Sequence, residues 1–177
     1  MTRELKERFD VVRLESYFQP VFNLRTTHVM GVEALLRPRT GTGEHLAPSI
    51  LFQDATTHGC LIDLEREARV TALDSFSKDI PSPELVLFLN FSASLLDTGE
   101  LDAEHILSTV RYYGLAVRNV AIELTESSVN SLTELSEFSR TIRRSGFLLS
   151  LDNFGTEHSS LERVATLRPD LIKIDRS

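Results

Sequence analysis

The sequence predicts an α/β fold of parallel strands joined by helical crossovers, and three observations carry that prediction. Four short runs, Glu84–Asn90, Asn119–Glu123, Phe147–Asp152 and Asp170–Asp175, are apolar almost throughout rather than alternating, as expected of strands covered on both faces. Helix-period patterns separate them. The polar residues ending three of the runs, Asn90, Glu123 and Asp152, are 33 and then 29 residues apart, about one βα repeat each. The expectation is a parallel α/β arrangement.

Taken from the N-terminus, Tyr17–Leu24 and Met30–Arg37 read as two strands joined by a short polar turn, more hairpin than crossover. Residues 41–48 read as a loop. Leu61, Leu64, Ala68, Ala72 and Phe76 mark one face of a helix, and Ile106, Val110 and Tyr113 mark another. Leu132, Leu135, Phe138 and Ile142 form a third stripe behind a Ser131-x-x-Glu134 capping box. A second box, Ser159-x-x-Glu162, opens a short helix before Pro169. That makes six strands. An eight-stranded barrel takes about 250 residues, so two βα units are expected to be missing. Residues 1–14 are assigned to a linker or helix and 15–177 to one domain.

Composition narrows the classes. The chain has 177 residues, 25% of them charged, with a net charge of −7 and no basic stripe interleaved with aromatics. Duplex nucleic acid is therefore an unfavourable partner. The longest apolar run, Leu85 to Leu89, is far short of the roughly 20 residues that span a membrane. The start, Met1 to Arg8, is charged and lacks the apolar core of a secretory signal. One cysteine, Cys60, excludes an internal disulfide and a thiolate cluster, and fits a small buried hydrophobe in a reducing cytoplasm. The five histidines show no metal-ligand spacing.

Four oxygen-bearing residues fall within or at the ends of apolar strands: Glu33, Asn90, Glu123 and Asp152. In parallel α/β proteins the strand C-termini converge on one rim, where sites gather. Three carboxylates and an amide suit a hard divalent ion such as Mg²⁺ or Mn²⁺. Each residue alone could instead be a turn or cap. A carboxylate inside the apolar run at Glu33 is costly unless paired or metal-bound. Arg37, four residues on, shares its strand face and could fork onto a phosphate or form an ordinary ion pair. Lys173, enclosed in Leu171-Ile-Lys-Ile174, demands an anion, with Asp175 as the local alternative. Asp152-Asn-Phe-Gly-Thr156 has a loop composition.

Together these residues form a pattern. Glu33-Ala-Leu-Leu-Arg37 with Gln19-Pro20, Asn90-Phe-Ser92, Glu123-Leu-Thr-Glu126-Ser127, Asp152-Asn-Phe-Gly-Thr156 and Lys173-Ile-Asp-Arg-Ser177 resemble, in order and spacing, the motifs of EAL domains, the cyclic-di-GMP phosphodiesterases. The resemblance implies a TIM-like barrel whose first strand runs antiparallel. It implies bacterial second-messenger hydrolysis of cyclic-di-GMP to linear pGpG with Mg²⁺ or Mn²⁺. By the same resemblance Glu33, Asn90, Glu123 and Asp152 hold the first metal, and Gln19, Leu35 and Arg37 contact the dinucleotide. Glu126 steadies the loop that begins at Asp152, and Lys173 positions or activates the attacking water, with Glu33 sharing the catalytic role. The family's loop commonly reads Asp-Asp-Phe-Gly-Thr-Gly; Asn153 replaces its second acid and is a weaker ligand for a second metal, while Glu157 replaces its last glycine. A further metal-binding glutamate and a catalytic glutamine of later strands have no counterpart. These departures predict weak turnover or none, with metal-assisted binding retained, and leave a module that binds cyclic-di-GMP or a protein partner as the alternative. A homodimer and an upstream sensory domain are compatible with either.

Overall fold

A computed structural model describes residues 11–174 except 81, 83, 93–94, 97–102, 126–130 and 156–160. Six strands form one sheet in chain order: β1 (Val11–Phe22), β2 (Val29–Thr40), β3 (Val86–Phe91), β4 (Val120–Thr125), β5 (Leu148–Phe154) and β6 (Leu171–Ile174). The first pair is antiparallel and every later pair parallel. Among the described residues five α-helices accompany them: α1 (Pro48–Thr57), α2 (Leu61–Asp79), α3 (Ala103–Tyr112), α4 (Leu132–Ser145) and α5 (Leu161–Leu167). The opening strand starts at Val11, so residues 11–14 belong to the sheet rather than to a preceding linker.

The hairpin is longer than its apolar signal. Arg39 Nε–H donates to Glu15 Oε2 at 2.9 Å and its Nη2–H to Tyr17 Oη at 3.2 Å, so charged cross-strand partners extend the ladder where no hydrophobic pattern marks it. Helix α1 was not foreseen beyond the loop that ends at Pro48. It has Pro48 in its first turn and Ala47 as N-cap with no side-chain cap, and its apolar side buries Leu51 and Ala55.

Strands β3 to β5 hide two faces in one apolar run. Leu87, Leu89, Phe91, Ile122, Leu124, Leu149 and Leu151 join the core shared with the helices. Alternation puts Phe88, Asn90, Ala121, Glu123, Ser150 and Asp152 on the opposite face. The parallel register sets Asn90 beside Glu123 and Glu123 beside Ser150. Gly31 allows β2 to close on β3, because a Cβ there would lie 2.3 Å from the Val86 carbonyl oxygen and 2.9 Å from the Phe88 ring.

The later units are tied by polar contacts at their ends. Ser131 Oγ accepts the Glu134 N–H, as the capping box predicts, and Gly146 ends α4 at φ +88°. Ser139 Oγ donates to the Leu167 carbonyl at 2.6 Å, fastening α4 to the end of α5. Asp170 accepts the Leu149 N–H at 2.9 Å and donates its own N–H to the Leu149 carbonyl at 2.8 Å, fixing where β6 joins β5. Cys60 is buried. Among the described residues no helix is long and apolar enough to cross a membrane.

Candidate functional site

The polar face of the sheet gathers around one cation. Lys173 Nζ of β6 donates to Glu33 Oε2 of β2 at 2.7 Å and to Glu123 Oε1 of β4, and lies 3.6 Å from Asp152 Oδ1 of β5. Asn90 completes the cluster, its Nδ2–H reaching Glu33 Oε1 at 3.4 Å and the Ala34 carbonyl at 3.3 Å. The five residues come from five strands, up to 140 positions apart in sequence, so only the folded sheet brings them together. Glu33 and Lys173 interrupt apolar runs of the sequence, and Asn90, Glu123 and Asp152 end them. Asp175, the local alternative for Lys173, lies outside the described residues, as do Glu126 and Glu157.

Glu123 is the most costly member, with no solvent exposure. Burial drives its carboxyl up to about 7, against the pull of Lys173, while Glu33 and Asp152 push the same way as burial. Burial also opposes the charge on Lys173, but the hydrogen bonds it donates to Glu123 and Glu33, with their negative charge, outweigh it and the ammonium is held above its ordinary value. Glu123 Oε2 and the neighbouring Ser150 Oγ are buried with no hydrogen-bond partner among the described residues. Orphaned acceptors in a buried site call for a ligand or ion to complete them.

The donor set fits a hard divalent cation on these grounds: oxygen ligands only, an unpartnered buried carboxylate oxygen, and three carboxylates against one ammonium. Among the described residues no three acidic, histidine or cysteine side chains already enclose a metal position, because Lys173 Nζ stands among the carboxylates. The Glu123 shift gives a pH signature for metal-free protein. The folded carboxyl keeps its proton to about pH 7, whereas the unfolded one loses it near its ordinary value of 4.5. The folded state then binds more protons across that window, so this group's stability contribution is full below it and is lost as pH rises through about 7. Denaturant titration of chelator-treated protein between pH 5 and 8 is expected to show this fall, and Glu123→Gln to flatten it.

The other candidates lie on β1, β2 and β5. Gln19 sits directly opposite Glu33 in the β1–β2 ladder and is exposed. Leu35 and Arg37 follow Glu33 on the same face at two-residue steps. Arg37 is half-buried, its Nη1–H donating to the Leu36 carbonyl at 2.8 Å and its guanidinium carbon 6.0 Å from the Tyr17 ring centroid. Among the described residues it has no carboxylate ion pair. Asn153 adopts φ +57° at the irregularity between Leu151 and Phe154, a left-handed conformation that asparagine tolerates.

Beside the cluster, between α1, α2 and strands β1–β3, lies a cavity of about 310 Å³ that includes Leu35, Arg37 and Asn90 in its wall. Its far wall carries an ion pair the sequence did not single out: Arg69 Nη1–H donates to Glu65 Oε2 at 2.6 Å, and Glu65 Oε1 accepts the Ser92 N–H at 2.9 Å. Burial raises the Glu65 carboxyl more than Arg69 lowers it. At i, i+4 spacing the pair reads in sequence as a solvated helix face; only the packing of α2 on the sheet encloses it.

Comparison with known proteins agrees with this geometry. Residues 2–177 match the EAL domain family. A probable cyclic di-GMP phosphodiesterase of Escherichia coli, PdeD, is 27% identical over 99% of this chain and 32% of its own length. The structure of Bacillus subtilis YkuI, an EAL-domain protein in complex with substrate c-di-GMP and calcium, superposes with a TM-score of 0.78 at 28% identity, covering 97% of this chain and 43% of that one. BlrP1 of Klebsiella pneumoniae, as a calcium/cyclic-di-GMP complex, gives 0.78 at 23% identity over 92% of this chain and 40% of that one, a likeness of fold. The chain spans about a third of PdeD. With its antiparallel first strand, its parallel βα units and this match along nearly its whole length, the chain belongs to the EAL domain family and has that family's TIM-like fold.

Proposed function

We propose that this domain binds cyclic di-GMP against a divalent cation and hydrolyses one of its phosphodiester bonds, giving linear pGpG. The observation that carries the reading is the convergence of Glu33, Glu123 and Asp152 on one cation position, with Glu123 fully buried and one of its oxygens unpartnered. Such a cluster is expensive to build and has no evident value for stability. Glu33, Asn90, Glu123 and Asp152 would hold the ion, Mg²⁺ or Mn²⁺, and its chemistry there is to polarise a phosphoryl oxygen and acidify water. Arg37, half-buried and without a carboxylate partner among the described residues, would turn its fork to the dinucleotide phosphate. Gln19 and Leu35 flank the same approach. Lys173 would position the attacking water and offset phosphate charge; Glu126 would steady the loop after β5.

A binding module is the second reading, favoured by Asn153. Its amide offers an oxygen but no charge, so a second cation is held weakly there and turnover is slow while binding persists. Incubation with cyclic di-GMP and Mn²⁺, followed by chromatography, separates the two. Linear product that disappears with chelator and in Glu33→Ala protein is the expected result. Binding without product supports the module; neither binding nor product contradicts both.

A further inference from the structure

A basic groove of about 490 Å³ lies between α4 and α5, with Ser136, Arg140, Arg143, Thr166 and Arg168 in its wall and no acidic side chain among the residues that line it. It opens where α4 leads into β5 and α5 into β6, at the N-terminal ends of those strands. Asp152 of the cation cluster lies four residues further along β5 than Leu148, roughly 13 Å of strand away. The groove is fixed from below: Ser139 Oγ–H and Arg143 Nη2–H both reach the Leu167 carbonyl, at 2.6 and 3.5 Å. Arg143 also stands 4.0 Å from Asp170 Oδ1. Arg140 and Arg168 are exposed, and among the described residues neither has a carboxylate partner.

Helix chemistry explains only part of this charge. Arg143 and Arg144 close the last turn of α4, where basic side chains offset the helix dipole. Arg140 sits a turn earlier. Arg168 follows the end of α5 at φ +47°, a left-handed backbone where glycine or asparagine is the unstrained choice. A long cationic side chain kept at such a position points to a use outside the fold. Three guanidiniums around one groove also repel one another, in a chain whose net charge is −7, and they gain from an anionic occupant.

The kind of anion follows from the surroundings. All three arginines are exposed, so a single small anion would be held by screened contacts of little worth. A long polyanion such as nucleic acid would run past the groove onto exposed Glu137, Glu162 and Asp170. A short extended peptide can instead present one carboxylate to each free fork and end within the groove. We propose that the groove between α4 and α5 is a docking surface for an acidic segment of a partner protein, with Arg140 and Arg168 receiving its carboxylates.

Fluorescence anisotropy with fluorescein-labelled octaglutamate, at about 50 mM salt, tests this on the whole chain. Wild-type protein is expected to bind the peptide saturably. Arg140→Ser and Arg168→Gly should each weaken binding about fivefold, the worth of one exposed charge pair. Arg25→Ser, in the hairpin between β1 and β2, removes the same charge elsewhere and should change nothing. Arg168→Gly protein should melt no lower than wild type, because glycine suits that backbone, so its lost binding is not lost folding. No saturable binding by wild type, or an equal loss in Arg25→Ser protein, overturns the proposal. So does a labelled oligothymidylate that binds through the same arginines more tightly than the peptide. A monomer–dimer equilibrium abolished by Arg140→Ser and Arg168→Gly would assign the groove to a second copy of this chain and overturn it equally.

Discussion

Lys173→Met protein stripped of metal is expected to be less stable than wild type by about 3 kcal/mol, the low end for removing one partner of a buried ion pair. Glu123 has no water to turn to, and Glu33 and Asp152 stand beside the same vacated position. Added Mn²⁺ is expected to recover most of that loss, because a cation among the three carboxylates replaces the missing ammonium. At a hundred times its dissociation constant a ligand contributes about 2.7 kcal/mol. Thermal denaturation with Mn²⁺ or chelator measures the difference. The Mn²⁺-induced rise should be larger in the variant than in wild type, and hydrolysis should fall by at least about a hundredfold. An equal rise in both proteins would mean that Lys173 and the cation do not share the site.

Glu123→Gln is the complementary change, keeping shape while removing the buried charge. Metal-free protein should tolerate it, since a carboxyl with a value near 7 is already half-protonated at neutral pH. Cation-dependent chemistry should not. Losing a charged ligand removes several kcal/mol of transition-state stabilisation, so hydrolysis is expected to drop about a thousandfold, ~4 kcal/mol. A variant at least as stable as wild type yet inactive would mark Glu123 as functional at a cost to the fold.

Much of this was legible because the site residues break patterns. Glu33 and Lys173 stand out as charges inside apolar runs, and Asn90, Glu123 and Asp152 as polar ends of them. The parallel strands were readable for the same reason: covered on both faces, β3 to β5 carry unbroken apolar segments. Their alternation was not readable, since Leu87 and Phe88 look alike in sequence while serving opposite faces. The outer halves of β1 and β2 were missed because Glu15 and Arg39 hold them by charge pairs. Helix α1 was missed because Ala47 gives no capping signal and Pro48 reads equally as loop. Lys173 was expected to choose between a ligand role and Asp175; that one ammonium reaches carboxylates on three other strands is a fact of the fold alone. Glu65 and Arg69 have the spacing of a surface pair, and nothing local distinguishes them from Asp74 and Lys78, which are one.

Electron paramagnetic resonance titration of Mn²⁺ into wild-type and Glu123→Gln protein at pH 8 tests the central claim most directly. If the carboxylates around Lys173 form the cation site, wild-type protein binds Mn²⁺ at a defined stoichiometry and Glu123→Gln protein binds it at least about a hundredfold more weakly, ~3 kcal/mol. Equal Mn²⁺ binding by the two proteins would contradict the account and leave the cluster as a buried ion-pair network.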